Sequence, residues 1–93
     1  MVIGVAVFEL RIAGAFGLKD KRRVLSSLLN RLRSRFNVSA SEIEHQDVKQ
    51  HATIAVCVVA NSTAHIHSVL SNVTNFVDSH QGLECIKVST EIL

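Results

Sequence analysis

Apolar residues fill nearly every position from Val2 to Phe8, and then Phe8, Leu10 and Ile12 alternate with Glu9 and Arg11. A continuous apolar run passing into period-two alternation predicts a long β-strand over Val2–Ile12, apolar on both faces at its start. The following AGAFG, with two glycines, reads as a turn. From Leu18 the period changes. At 100° per residue Leu18, Val24, Leu25, Leu28, Leu29, Leu32 and Phe36 lie within an arc of about 140°, so the segment from about 18 to 36 is an amphipathic helix with one buried face. NVSASEI, weakly apolar and serine-rich, resumes an extended pattern suited to an edge strand. The polar run Glu44–His51 connects it to ATIAVCVVA, Ala52–Ala60, which is apolar at nearly every position and reads as a central strand. Asn61 suits the N-cap of a second helix carrying Ile66, Val69, Leu70, Val73, Phe76 and Val77 at helical spacing, and Gly82 stops it. The last segment, LECIKVSTEIL, alternates Ile86, Val88, Thr90 and Ile92 against Cys85, Lys87, Ser89 and Glu91, a strand with one wet face.

The order βαββαβ, with right-handed crossovers, gives an α+β, ferredoxin-like domain spanning residues 1–93: a four-stranded antiparallel sheet with both helices on one face. No repeat or linker divides it. A chain of 93 residues buries about 60% of the surface it exposes when unfolded, enough to fold without staples. Cys57 and Cys85 lie inside apolar runs and lack the paired spacing of a zinc or redox site, so they are expected to be buried thiols of a reducing compartment. The apolar runs fall well short of the roughly 20 residues that cross a bilayer. No basic leader precedes the first of them, and the expected location is the cytoplasm, away from membranes.

Charge changes the picture more than composition does. The net charge is only +2, yet Lys19–Arg35 holds seven of the ten lysines and arginines against one acid, Asp20, while the remainder is acidic. Arg31, Arg33 and Arg35 complement the negative end of the first helix dipole or simply form a solvated face. Lys19, Lys21, Arg22 and Arg23 stand at the positive end, where each exposed cation costs about 0.3–1 kcal/mol. Two readings account for them: an anion site made with the free amides of the helix start, for which phosphate is the usual occupant, or ion pairs with Glu9, Asp20 or Glu44. Lys21 projects from the middle of the apolar stripe and is expected to reach past the end of the sheet into water.

The histidines do not form a ligand set. His65 and His67, two apart on a helix, point about 200° from each other, and His45, His51 and His80 have no cysteine or carboxylate at ligand spacing, so neither metal nor cofactor is expected. His65 joins a phosphate site only if its strand end meets the first helix. Gln46 and Asp47 occupy a hairpin loop, where they either contact a partner or close the turn. No nucleophile–base pair, paired carboxylates or glycine-rich phosphate loop is present, and the GxVQGVxFR-like signature of an acylphosphatase is absent, so no enzymatic activity is expected.

LKDKRRV, LRSRFNVSASEI, HQD, and AN followed by His65 resemble the YlxP family, small bacterial proteins of uncharacterised function, over essentially the whole chain. The resemblance implies a ferredoxin-like fold and, because the family is often encoded beside translation-initiation and ribosome-maturation genes, a partner in the translation machinery. Where the family usually reads like QDLWQR this chain has QDVKQH, placing Lys49 at the aromatic position and His51 at the next base.

Two expectations about partners follow. Helices cover one side of such a sheet, yet both central strands are apolar on both sides, so Ile3, Val5 and Val7 of the first and Thr53, Ala55, Cys57 and Val59 of the third are expected to face a second copy in a homodimer. The central strands offer no aromatic platform for bases, so RNA is expected to meet a phosphate-tracking basic helix through Lys19, Lys21, Arg22 and Arg23, with smaller contributions from Arg31 and Arg33. The alternative is a dimeric interaction or ligand-sensing module binding a small anion or an acidic protein.

Overall fold

A computed structural model describes residues 1–93. The elements are β1 (Val2–Arg11), α1 (Leu18–Arg35), β2 (Ser39–Glu44), β3 (His51–Ala60), α2 (Thr63–Ser79) and β4 (Glu84–Ile92). The strands form one sheet in the order β2-β3-β1-β4, every neighbour antiparallel, so the two most apolar strands lie in the middle. This is the ferredoxin-like arrangement read from the sequence.

The pleat sorts the side chains as the alternation requires. Ala6, Phe8 and Leu10 of β1 and Ile54, Val56 and Val58 of β3 are buried beneath the helices, while Ile3, Val5 and Val7 look out from the other face. From above, Leu25, Leu28 and Leu32 of α1 and Ile66, Leu70, Val73 and Val77 of α2 close the core. Gly4 sets the depth at which α2 seats: a Cβ there would run into Cγ2 of Ile66.

Three local details depart from the sequence reading. The α2 N-cap is Ser62 rather than Asn61; its hydroxyl accepts the His65 N–H at 3.3 Å, satisfying one of the free first-turn donors. The helix ends at Ser79, and Gly82, at φ +90°, serves the turn into β4. In β4 the pairing with β1 shifts register between Glu9 and Leu10, so Cys85 stands opposite Leu10 and packs toward the core, while Ile86 is left 47% exposed. Such an irregularity at an edge bends the strand and discourages further pairing, as do Lys87 and Glu91 on its open side.

Candidate functional site

Arg11 ends β1 opposite His51, the first residue of β3, and opposite Glu84, the first residue of β4. The β1–α1 loop, the β2–β3 hairpin and the α2–β4 turn therefore converge at one end of the sheet, where α1 also begins. They are tied together. The Ile12 N–H donates to the Gln50 carbonyl at 3.1 Å, Gln50 Nε2 donates to the Ala15 carbonyl at 3.2 Å, and the Phe16 N–H donates to Asp20 Oδ2 at 3.2 Å. Gly17, the N-cap of α1, has no side chain to offer, and the first intrahelical bond runs from the Lys21 N–H to the Gly17 carbonyl. The amides of Leu18, Lys19 and Asp20 are left as donors at the positive end of the helix dipole.

Lys21 overturns one expectation. Its side chain is only 2% exposed and does not end in water. Lys21 occupies the first position of the stripe Lys21, Leu25, Leu28, Leu32, and its ammonium turns beneath the hairpin to donate to the carbonyls of His45 and, at 2.8 Å, Val48. Glu42 Oε2 lies 3.0 Å away but off the hydrogen-bonding direction, so the pair is held by charge rather than by a directed bond. The hairpin needs this support: His45 sits at φ +64°, in the left-handed region, and its carbonyl also accepts the Val48 N–H. Lys21 is thus a structural clamp, and the anion cluster read from the sequence loses its central member.

The other cations of α1 divide between the two flanks of the helix. Arg33 donates from Nη2 and Nε to the Ala40 carbonyl of β2, at 2.6 and 3.2 Å, and so fastens the helix to the edge strand. Arg35 lies 5.3 Å over the ring of Phe76. Arg23 pairs with Asp20 at 2.7 Å in the open, an ion pair of little energetic weight. Lys19, Arg22 and Arg31 are exposed and meet no acid within the fold.

Between α1 and α2 runs a groove of about 910 Å³ that the sequence reading missed. Arg23, Ser27 and Arg31 line it from α1, Phe76, Ser79 and His80 from the end of α2, and Phe16 stands at its mouth, 87% exposed. Signals for it existed. Phe16 sits between glycines where it belongs to no helical stripe, and Arg31 lies on the edge of the α1 stripe beside Val24. The His80 Nδ1 donates to the Gln81 carbonyl at 2.9 Å, while its buried Nε2 has no partner in the protein.

The remaining candidates are dispersed. His65 opens α2 at the Val2–Ala60 end of the sheet, and ten-residue strands put that end ~30 Å from the start of α1, so it joins no site with that helix. Gln46 and Asp47 are the exposed central residues of the turn closed by the Val48 N–H to His45 carbonyl bond, which supports their turn role. On the open sheet face Ile3, Val5, Val7, Ala55 and Cys57 are half-buried and Val59 is 58% exposed. Thr53 departs from that patch: it is 4% exposed, with its Oγ1 2.8 Å from Nδ1 of His45, whose ring packs edge-on against His51. Both cysteines are free, and neither is fully buried as the sequence suggested. Burial pushes the Cys85 thiol above its ordinary value, the Asp78 carboxylate adds to the shift, and a backbone hydrogen bond at Lys87 opposes it.

Comparison with known proteins places this arrangement. The profile of a family described as proteins of unknown function, DUF503, matches residues 3–90. The Bacillus subtilis (strain 168) protein described as uncharacterized protein YlxP is 38% identical over 90 residues, covering 97% of this chain and 98% of its own. The chain belongs to the YlxP family. Among solved structures, the de novo designed protein Foldit4 superposes with a TM-score of 0.56 at 8% identity, over 100% of this chain and 97% of that one. A de novo designed protein with ferredoxin fold gives 0.51 at 8% identity, over 100% and 83%. At such identities the structural likeness speaks of fold alone, and the family itself carries no assigned activity. No helix is long and apolar enough to cross a membrane.

Proposed function

We propose that this member of the YlxP family is a non-enzymatic, homodimeric binding module that docks structured RNA of the translation machinery on the start of α1. The observation carrying the reading is that Lys19 and Arg22, exposed and without an acidic partner, flank three helix amides that no side chain caps. Cations there oppose the helix dipole unless an anion joins them, and a phosphate oxygen satisfies both amides and bases. The acidic remainder of the chain orients an approaching polyanion toward this end. With Lys21 buried and Arg23 paired to Asp20, two or three phosphates are contacted per subunit, from Lys19, Arg22 and Arg31, and log affinity should fall against log salt with a slope of roughly −2 to −3. Replacing Lys19 and Arg22 together by glutamate should cut affinity for a structured RNA at least tenfold without unfolding, since both side chains are exposed. Unchanged affinity in that variant, or none detectable for wild type at about 50 mM salt, overturns the reading.

The dimer is supported by the open sheet face. Ile3, Val5, Val7, Ala55, Cys57 and Val59 form an aliphatic stripe between Ser39 and Ser41 on one side and Lys87, Ser89 and Glu91 on the other. An apolar centre with a polar rim is the layout of an isologous interface, and a second copy brings the same layout. A strictly monomeric mass by light scattering at tens of micromolar overturns this part.

A further inference from the structure

We infer that the groove between α1 and α2 is a binding site for a single nucleotide unit, its base stacked on Phe16 and its phosphate held by Arg31. The groove, at about 910 Å³, falls within the ~300–1,000 Å³ range of small-ligand sites. Its walls carry the two kinds of recognition a nucleotide needs. Arg31 presents a guanidinium with no counter-charge in the fold, suited to bidentate contact with phosphate oxygens. Arg23 stands on the same flank, its charge shared with Asp20.

Phe16 is harder to explain without a ligand. A phenylalanine 87% exposed, in a loop whose backbone is tied by hydrogen bonds at the Ala15 carbonyl and the Phe16 amide, presents an unpacked aromatic face to solvent. Phe76 is already engaged, edge-on to Phe36 at 5.9 Å and beneath Arg35, so Phe16 is the free ring at this site. The hydroxyl of Ser27 supplies a neutral donor and acceptor, and that of Ser79, whose hydrogen goes to the Phe76 carbonyl at 2.9 Å, supplies an acceptor. His80 adds an unsatisfied acceptor: with Nδ1 donating to Gln81, a ligand hydroxyl or amino group reaching Nε2 after a small turn of the ring gives it the donor it lacks.

The ligand chemistry has two sources, a free mononucleotide or an unpaired residue within a single-stranded RNA. It does not depend on the docking of structured RNA by Lys19 and Arg22, which are not among the lining residues; Arg31 is the one residue common to both. The experiment is a titration followed by backbone amide NMR, with adenosine monophosphate, adenosine, inorganic phosphate and hexaadenylate as separate probes. Adenosine monophosphate should shift the amides of Gly14–Gly17 and Ser79–Gly82 saturably, with adenosine and phosphate each binding at least about tenfold more weakly. Phe16→Ala and Arg31→Gln, both at exposed positions, should each weaken it about fivefold or more. Lys19→Glu/Arg22→Glu should leave it within about twofold. Hexaadenylate binding tighter than the mononucleotide identifies a strand as the source, and equal or weaker binding identifies the free nucleotide. Absence of saturable shifts at these amides with either nucleotide probe up to about 10 mM overturns the assignment. So does an Arg31→Gln or Phe16→Ala variant that binds adenosine monophosphate as wild type does while keeping its dispersed spectrum.

Discussion

Replacing Lys21 by methionine should unfasten the hairpin from α1 and cost far more than a surface lysine. Methionine retains most of the apolar stem, so the loss is confined to the ammonium. Its two hydrogen bonds to the His45 and Val48 carbonyls come from a charged donor, a class contributing ~1.5–3 kcal/mol each when intact. Breaking a buried ion pair by removing one partner costs ~3–5 kcal/mol, because the other charge is left behind. The Glu42 side chain keeps 21% of its exposure, so water recovers part of that penalty, and the two contributions overlap. The expected loss is ~3 kcal/mol, against a total of ~5–15 kcal/mol for a domain of ordinary stability. In a domain of this size it should lower Tm by ~12–24 °C. Urea unfolding followed by far-ultraviolet circular dichroism measures it, and the double variant Lys21→Met/Glu42→Gln should regain ~1 kcal/mol, since a neutral amide no longer needs a counter-charge. A single variant within ~1 kcal/mol of wild type, or a double variant no more stable than the single, refutes the clamp.

Gly4→Ala should destabilise by ~1–3 kcal/mol through its clash with Cγ2 of Ile66, and the same change made in an Ile66→Ala background, which removes that methyl, should cost less; equal stability of Gly4→Ala and wild type in urea would mean that α2 has room to move. The raised Cys85 value has a definite sign: the folded chain favours the thiol, so its contribution to stability is whole below the unfolded value and fades as pH rises through the folded one. Alkylation of Cys85 by iodoacetamide should therefore gain speed at higher pH in the folded chain than in urea, and coincident pH–rate profiles contradict the shift.

The fold was legible because its signals are local and mutually consistent. Alternation in β1, the leucine stripe of α1 and the turn glycines each point to one topology, and nothing in the core contradicts them. Boundaries slipped where neighbouring residues can do the same work, as Asn61 and Ser62 can at a cap. Lys21 was misread because a wheel gives its direction but not what waits there: the hairpin carbonyls that take its ammonium come from residues 24 and 27 positions away. Thr53 was misassigned for the same reason, since His45 folds back over it only through a left-handed turn residue. The groove eluded the sequence because a cavity belongs to two elements at once, and neither the Arg31 flank of α1 nor Phe16 announces the other.

The strand order also governs how the chain must find its fold. The pairing Arg11 with His51 spans 40 residues and Gly4 with Ile92 spans 88, so both ladders of the central strand β1 close large loops, and only the edge hairpin β2–β3 is local. Closure entropy for such ladders is spent before their contacts form, which places the domain among slower folders than helical chains of equal length. The β1–β3 ladder closes the smaller loops and the β1–β4 ladder the larger ones, so pairing with β4 carries the greater closure cost. A ribosome-bound chain lacking its last ten residues would hold β1 with one side of its ladder unpaired, waiting for the final strand to emerge.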